Sequence, residues 1–163
     1  GPAGDRRIGR IATGVTHDTF MSAAIEQARL GLAAGEVPIG AVLVVDGAIV
    51  ARGYNQPISG VDPTAHSEIV TLREGARVLG NYRLPEATLF VAVEPCLMCA
   101  GALVHDRVRG VVFGAAEPRT GALVSAAGVL DTPGLNHRFI ITGGVLEAEC
   151  RELSQGFFLQ RRA

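Results

Sequence analysis

The sequence of 163 residues contains no lysine, no tryptophan, few aromatic residues and only three cysteines. No uninterrupted apolar run approaches the roughly 18 residues that a membrane-spanning helix requires, which excludes a membrane span. The stretch after Arg6 and Arg7 is too polar and too rich in glycine for the apolar part of a secretory signal. A small and odd number of cysteines excludes a disulfide framework, so we expect a reducing compartment and a cytoplasmic protein.

An excess of charge of one sign is also missing. The 15 basic residues, all arginine, face 16 acidic residues, and the formal net charge of -1 gives no global signal for nucleic acid. A local basic patch remains compatible with such binding, because binding depends on where the charge lies. With 48% hydrophobic and 19% charged residues, the composition is typical of one soluble domain with a buried core. We interpret residues 17–163 as this domain and residues 1–16 as a flexible arm, whose opening Gly1-Pro2 resembles a protease scar.

Hydrophobic periodicity and turn signals predict alternating helices and strands. Asp46-Gly47 between two β-branched apolar runs is a strong hairpin signal. Thr16 and Asp18 are candidate caps of the first helix, and Gly35 is placed to end it. The predicted helices cover about 20–32, 65–79, 96–104 and 146–161, and the predicted strands cover 38–45, 48–54, 87–93, 108–113 and 139–142.

This order of elements predicts an α/β fold. Strands that are joined through helices form right-handed crossovers and pair in parallel, while a two-residue hairpin adds an antiparallel pair. We therefore expect a three-layer α/β/α sandwich around a five-stranded mixed sheet, largely parallel, with the first hairpin at its antiparallel edge.

Two short motifs carry candidate metal ligands, and each lies at the start of a predicted helix. His66 lies near the start of the second helix, and Cys96 and Cys99 follow Pro95 at the start of the third. A CxxC pair within one turn places both sulfurs on one side, and the positive end of the helix dipole favours thiolates. One imidazole and two thiolates give Zn²⁺ three protein ligands and leave the fourth position open, as in catalytic sites. Taken alone, however, a CxxC is also typical of a redox pair or half a zinc ribbon, and a histidine on a helix is more often an ordinary side chain.

Glu68 lies two residues after His66 and can reach a water at the open position without being a ligand. Such a carboxylate would serve as a proton shuttle in a hydrolytic reaction. An HxE motif alone occurs often by chance, but HxE followed by PCxxC is the signature of zinc-dependent nucleobase deaminases. The combination therefore favours a zinc hydrolase.

A resemblance to a known family extends from about residue 17 to residue 162. The segments that carry it are EVPIGAVLV (36–44), the Asn55 loop, DPTAHSEI (62–69), NYRL (81–84), EPCLMCAGAL (94–103), VVFGA (111–115), TGA (120–122), Asn136-His137 and FFLQRR (157–162). In these segments the chain resembles the TadA family of bacterial tRNA-specific adenosine deaminases, within the cytidine/deoxycytidylate deaminase superfamily. The resemblance implies hydrolytic deamination of adenosine to inosine at the wobble position of a tRNA anticodon, by a homodimer with one zinc per subunit. It implies that His66, Cys96 and Cys99 bind the zinc and that Glu68 is the catalytic acid/base.

The resemblance also implies a set of substrate contacts. Backbone groups beside Ser67 and around Pro95 would face the base, and Asn55 would meet the nucleoside. The other implied contacts are Glu117 and Arg119 after VVFGA, Asn136 and His137 in the next motif, and Arg161 and Arg162 on the last helix. Without the resemblance, Asn55 is equally a turn residue, His137 equally a loop brace, and a surface arginine more often a solvated side chain.

The chain departs from the family pattern at two of these positions. Ser67 replaces the alanine of the usual HAE motif, and a small side chain should be tolerated there because the expected contact uses backbone. Glu117 replaces a family aspartate and is followed by Pro118, which leaves the contacts of this loop to flanking nucleotides open to change. The basic residues expected near tRNA are all arginines, which bind phosphate in a planar, bidentate manner.

The expected partner is the anticodon stem-loop of a tRNA, by the resemblance an arginine tRNA with an ACG anticodon. A first alternative keeps the chemistry and changes the substrate to a free base or nucleoside, such as guanine or cytosine. The near-neutral charge and Glu117 leave that alternative open. A second alternative is a zinc-stabilised or redox module without hydrolytic activity, which only the CxxC motif supports. Of the remaining residues, Cys150 is assigned to packing and His17 to a helix end.

Overall fold

The computed structural model describes the backbone of residues 14–162 and the side chains of residues 17–158. Its elements follow the predicted order, with one addition, a short 3₁₀ turn at Val129–Asp131. The helices are α1 (Gly14–Ala33), α2 (Ser67–Leu79), α3 (Leu97–Asp106) and α4 (Glu147–Arg162). The strands are β1 (Gly40–Val45), β2 (Ala48–Tyr54), β3 (Ala87–Val93), β4 (Gly110–Ala115) and β5 (Ile140–Thr142). Within this range, none of the helices is long and apolar enough to cross a membrane.

The strands form one sheet in the order β2-β1-β3-β4-β5. β1 pairs antiparallel with both β2 and β3, whereas β3, β4 and β5 pair in parallel. Asp46 and Gly47 join β1 to β2 with φ angles of 51° and 75°, the left-handed conformation that a two-residue hairpin turn requires. The predicted five-stranded mixed sheet with the hairpin at its edge is confirmed. The sheet is less parallel than expected, because β1 lies between β2 and β3 and makes two of the four strand pairings antiparallel.

Helices cover both faces of the sheet. α2 and α3 bury one face around Leu72 and Leu103, while α1 and α4 bury the other around Met21 and Cys150. The central strand β3 is buried along its whole length, and its side chains from Leu89 to Ala92 alternate between the two cores. A continuous apolar run is typical of a strand covered on both faces. This is the predicted three-layer sandwich.

The first helix starts earlier than its candidate caps indicate. α1 begins at Gly14, ahead of both Thr16 and Asp18, so neither residue caps it. Its first three residues fall within the segment interpreted as an arm. Residues 1–13 lie outside the described residues, and for them the arm stays a prediction.

α2 and α3 begin later than predicted, which moves two ligand candidates to N-cap positions. Asp62 Oδ1 accepts hydrogen bonds from the backbone N–H and the hydroxyl of Thr64 (2.9 and 2.8 Å), and α2 starts after this tight turn, at Ser67. His66 and Cys96 are the N-cap residues, with extended backbone (ψ 155° and 178°), and neither side chain caps its helix. Both side chains are therefore available to a common site.

Candidate metal and catalytic site

Two helix N-termini meet at one edge of the sheet. β3 ends at Val93 and the chain turns through Pro95 into α3, which places Cys96 and Cys99 beyond the carboxyl end of the central strand. β2 runs in the same direction as β3, since both are antiparallel to β1. The loop after β2 therefore reaches the same edge, where His66 precedes α2.

The three ligand candidates are within reach of one metal ion. His66 Nδ1 lies 3.6 Å from Cys96 Sγ and 3.5 Å from Cys99 Sγ. A tetrahedral zinc with Zn–N and Zn–S bonds of about 2.05 and 2.3 Å separates these atom types by about 3.6 Å. Among the described residues this is the one group of three such side chains with ligand atoms close together, within 4.8 Å of one another. The geometry fits zinc with three protein ligands and one open position.

The thiols of the two cysteine ligands have pKa values shifted in opposite directions. The hydrogen bond from the Cys99 side chain lowers the pKa of Cys96 to about 5, against the effect of burial. The same bond, together with burial, raises the pKa of Cys99. Both sulfurs lie at the N-terminus of α3, where the helix dipole favours negative charge. A divalent cation bound between them would hold both sulfurs as thiolates.

Glu68 lies in the first turn of α2 and is 4% exposed. Burial raises the pKa of its carboxyl, and the hydroxyl of Ser67 opposes this shift by donating a 2.9 Å hydrogen bond to Oε1. Glu68 shares a cavity with His66 and Cys96. A buried carboxyl beside metal ligands is suited to general acid/base chemistry.

The cavity beside the ligands has a volume of about 190 Å³. Val37, Ile39 and Val93 give it an apolar wall, while Asn55 and Thr120 add polar groups. Such a lining suits a planar heterocycle with polar edges. A larger groove of about 710 Å³ lies along β2 and α2, but no described histidine or cysteine lines it, so the chemistry belongs to the smaller cavity.

Asn55 holds the backbone between the metal ligand and the carboxylate. Its Oδ1 accepts a 2.7 Å hydrogen bond from the backbone N–H of Ser67, and both residues are buried. The Ser67 hydroxyl is bound to Glu68. The N–H and the hydroxyl of Ser67 are therefore both occupied within the protein, and the predicted contact of the base with backbone beside Ser67 stays a prediction.

Comparison with known proteins bears on this geometry directly. The family model for the cytidine and deoxycytidylate deaminase zinc-binding region matches residues 15–115, which include His66, Glu68, Cys96 and Cys99. The tRNA-specific adenosine deaminase of Haemophilus influenzae is 46% identical over 146 residues, which cover 89% of this chain and 84% of that protein. The chain belongs to the tRNA-specific adenosine deaminase family. The metal that its three ligands bind is zinc.

Solved structures share the deaminase fold. One, from a study of A-to-I editing by tRNA:A34 deaminases at the wobble position of transfer RNA, has a TM-score of 0.81 at 41% identity and covers 83% of this chain and 98% of that chain. A guanine deaminase from Nitrosomonas europaea has a TM-score of 0.72 at 26% identity and covers 85% of this chain and 82% of that chain. The fold is confirmed, and proteins that share it act on different nucleobases.

Three of the predicted substrate residues of this deaminase lie at or beside the cavity. Asn55 and Glu117 line it. Arg119 is exposed two residues after Glu117, and its backbone N–H donates a 3.0 Å hydrogen bond to the Glu117 carboxylate. The loop after β4 therefore brings an acidic side chain to the cavity and carries an exposed arginine two residues further along.

Other predicted residues are placed less directly. Pro95 lies at the turn into α3, and its carbonyl oxygen accepts a 2.9 Å hydrogen bond from the N–H of Ala122, so this group is already paired. Arg161 and Arg162 lie on α4, with side chains outside the described residues.

Asn136 and His137 lie at the opposite edge of the sheet. His137 Nε2 donates a 2.7 Å hydrogen bond to the carbonyl oxygen of Val108, and the Asn136 carbonyl accepts one of 3.3 Å from Arg107, both ahead of β4. β3 has seven residues, so this edge is about 20 Å from the metal ligands. Within one chain the structure does not bring these two residues to the cavity, and His137 braces its loop.

Two buried glutamates of this deaminase are not among the site residues predicted from the sequence. Glu94 is 4% exposed and Glu36 is 1% exposed, and each accepts hydrogen bonds from the backbone of a distant loop. A signal for Glu94 exists, because a carboxylate directly after a largely apolar strand that is expected to be buried needs hydrogen-bond partners within the protein. Glu94 itself lines the cavity, together with Ser154 and Phe158 of α4, which are likewise not among the predicted site residues.

Proposed function

We propose that this protein converts adenosine to inosine by hydrolytic deamination at the wobble position of a tRNA anticodon. The observation that carries the proposal is the cavity in which the ligand atoms of His66, Cys96 and Cys99 adjoin Glu68 and leave one metal position open. Membership of the tRNA-specific adenosine deaminase family supports adenosine in tRNA as the substrate.

Glu68 carries the proton transfers of the reaction. When bound, zinc supplies the Lewis acid that makes hydroxide available near neutral pH. Glu68 takes a proton from the attacking water, whose oxygen bonds to C6 of adenine, and delivers that proton to N1. A second transfer through Glu68 moves the remaining hydroxyl proton to the amino group. The C6–N bond then breaks, and the products are inosine and ammonia.

Asn55 and Ser67 position the Glu68 carboxylate and the adenine base. The Ser67 hydroxyl orients Glu68 Oε1, and Asn55 Oδ1 holds the Ser67 backbone. No described residue accepts a hydrogen bond from Asn55 Nδ2, so this amide is the donor that we assign to the nucleoside. Hydrogen bonds in a low-dielectric cavity are stronger than in water, which makes this alignment effective.

The cavity favours an adenosine presented by a loop. A volume of about 190 Å³ admits one base and no base pair, so the adenosine must leave its stack. The substrate that we propose is the anticodon stem-loop of an arginine tRNA with an ACG anticodon. Arg119 beside the cavity, and Arg161 and Arg162 at the end of the cavity-lining α4, are the phosphate contacts that we propose.

We further propose that the protein is a homodimer in the cytoplasm. Tyr82 (70%), Leu97 (66%) and Met98 (37%) leave apolar surface exposed beside α2 and α3, where a groove of about 270 Å³ also lies. A second copy can cover such a self-complementary patch through two-fold symmetry. Light scattering on Tyr82→Asp should show a shift from dimer to monomer, and a monomeric wild type would contradict the proposal. The cytoplasm suits a protein whose cysteines are all free of disulfides.

Inosine formation tests the function. The measurement is mass spectrometry of the ACG stem-loop and of free adenosine in parallel, with zinc content determined on the same sample. We expect inosine in the stem-loop alone. No inosine in either, with one zinc per chain, would reject tRNA as the substrate and turn the search to guanine and cytosine. Glu117 in the cavity is compatible with either outcome, because a carboxylate accepts hydrogen bonds from the exocyclic amino group of adenine, guanine or cytosine alike.

A further inference from the structure

The buried carboxylate of Glu94 has five hydrogen-bond donors around it. Oε1 accepts hydrogen bonds from the backbone N–H of Glu117 (3.1 Å) and the hydroxyl of Ser125 (2.5 Å). Oε2 accepts them from the N–H groups of Leu123 (3.1 Å), Val124 (2.7 Å) and Ser125 (2.9 Å). A concave run of backbone N–H groups is a typical anion site, and here the anion is a side chain of the same protein.

All five donors belong to residues 117–125, which we call the anchored loop. Two further bonds of 2.9 Å close it, from Gly121 N–H to the Glu117 carbonyl and from Ala122 N–H to the Pro95 carbonyl. A Cβ at Gly121 would lie 2.4 Å from Oε1 of Glu94, so a residue without a side chain is needed at this point of approach. The loop therefore fits tightly around the carboxylate.

The anchored loop forms one wall of the cavity through Glu117 and Thr120. Glu94 is joined through Pro95 to the zinc ligand Cys96, so one carboxylate ties this wall to the metal site. We propose that Glu94 is a positioning residue that sets the shape of the substrate-facing wall and thereby the affinity for the flipped adenosine. The identity of the substrate rests on the proposed function, whereas the anchoring does not.

Glu36 supplies a matched control. It is as deeply buried as Glu94 and accepts hydrogen bonds from the N–H groups of Ile58 (3.2 Å) and Ser59 (2.6 Å). Neither of these residues lines the cavity. The loss of its contacts should therefore lower stability without changing the affinity for substrate.

The kinetic test compares Glu94→Gln with Glu36→Gln in the full, zinc-loaded chain. Glutamine keeps the size of the side chain but turns an N–H₂ group toward part of the anchored loop. We expect KM for the ACG stem-loop to rise about tenfold in Glu94→Gln, the loss of one hydrogen bond to a charged group, with kcat changed by less than about twofold. Glu36→Gln should leave both constants unchanged. A fall in kcat at constant KM, or an equal rise of KM in both variants, would overturn the proposal.

Hydrogen exchange provides a readout that does not depend on activity. In Glu94→Gln the amides of the anchored loop should exchange about tenfold faster while those elsewhere are unchanged. Unchanged loop exchange would refute the anchoring, whereas an inactive wild type would refute only the proposed substrate. Ser125→Ala removes one contact at an exposed position and keeps the fold. Its KM should rise about twofold, and a KM equal to the wild type would count against the proposal.

Discussion

Glu68→Gln should abolish deamination while it leaves the fold and the zinc site intact. Glutamine has nearly the same shape, and its carbonyl oxygen can still accept the 2.9 Å hydrogen bond from the Ser67 hydroxyl. Its amide, however, cannot take up or deliver a proton. A positioned acid/base contributes roughly 10²–10⁴ in rate, and Glu68 serves in both directions, so we expect kcat to fall by at least about 10³. This corresponds to about 4 kcal/mol in the activation barrier.

The assay is single-turnover inosine formation on the stem-loop, with zinc per chain and the thermal midpoint measured on the same samples. Glu74→Gln is the matched control, because Glu74 lies on the same helix and forms only an exposed pair with Arg77. An exposed pair contributes little to stability and none of the proposed chemistry. A loss of less than about tenfold in Glu68→Gln, with zinc retained, would refute the assignment of the proton transfers to Glu68.

Three further predictions concern the thiols, the packing and the pH dependence of stability. After chelation of zinc, the half-buried Cys96 should react with a thiol reagent in the folded protein. Cys150 should react only on unfolding, because it is 2% exposed and burial raises its pKa to about 12. Peptide mass spectrometry measures which cysteine is labelled. Gly40→Ala should lower the free energy of unfolding by about 3 kcal/mol, because the added Cβ would lie 2.3 Å from a backbone carbonyl oxygen of α1. Gly101→Ala, where the added Cβ meets open space within α3, should leave the free energy of unfolding unchanged or raise it by up to about 1 kcal/mol. Equal urea midpoints for the two variants would refute this reasoning. Burial lowers the pKa of His17 from its ordinary 6.5, so the unfolded state binds the proton more readily and stability should fall as the pH drops below that value. His17→Phe should flatten this part of the curve of unfolding free energy against pH, and an unchanged curve would argue against it.

The parts of the fold with local signals could be predicted from the sequence. The continuous apolar run at 87–93 and the Asp46-Gly47 turn correspond closely to β3 and the hairpin. The antiparallel pairing of β1 with β3 could not be predicted, because the order of strands depends on contacts across a crossover. The residue at which α2 begins could not be predicted either, because the side chain of Asp62 accepts a hydrogen bond from the Thr64 N–H and holds this segment in a turn instead of a helix.

In the candidate site, too, the residues in local motifs could be predicted from the sequence, whereas the role of a residue that depends on distant contacts could not. The three zinc ligands and Glu68 lie in two short motifs, HxE and PCxxC, that can be recognised from their local spacing. The role of Glu94 depends on donors 23 to 31 residues further along the chain, which no local pattern reveals. The position of Asn136 and His137 follows from the predicted strand 139–142, because residues directly before a parallel strand lie at the edge opposite to the carboxyl ends of the strands.

The N-cap ligands have a consequence for the supply of the enzyme in the cell. His66 lies 30 residues before Cys96 and 33 before Cys99 and precedes a different helix, so a shared ion adds a cross-link between the N-termini of α2 and α3. An ion that binds the folded chain and not the unfolded one stabilises the fold by mass action. We therefore expect zinc starvation to lower the free energy of unfolding, so that the zinc-free chain unfolds and is degraded more often and less of the protein accumulates in the cell.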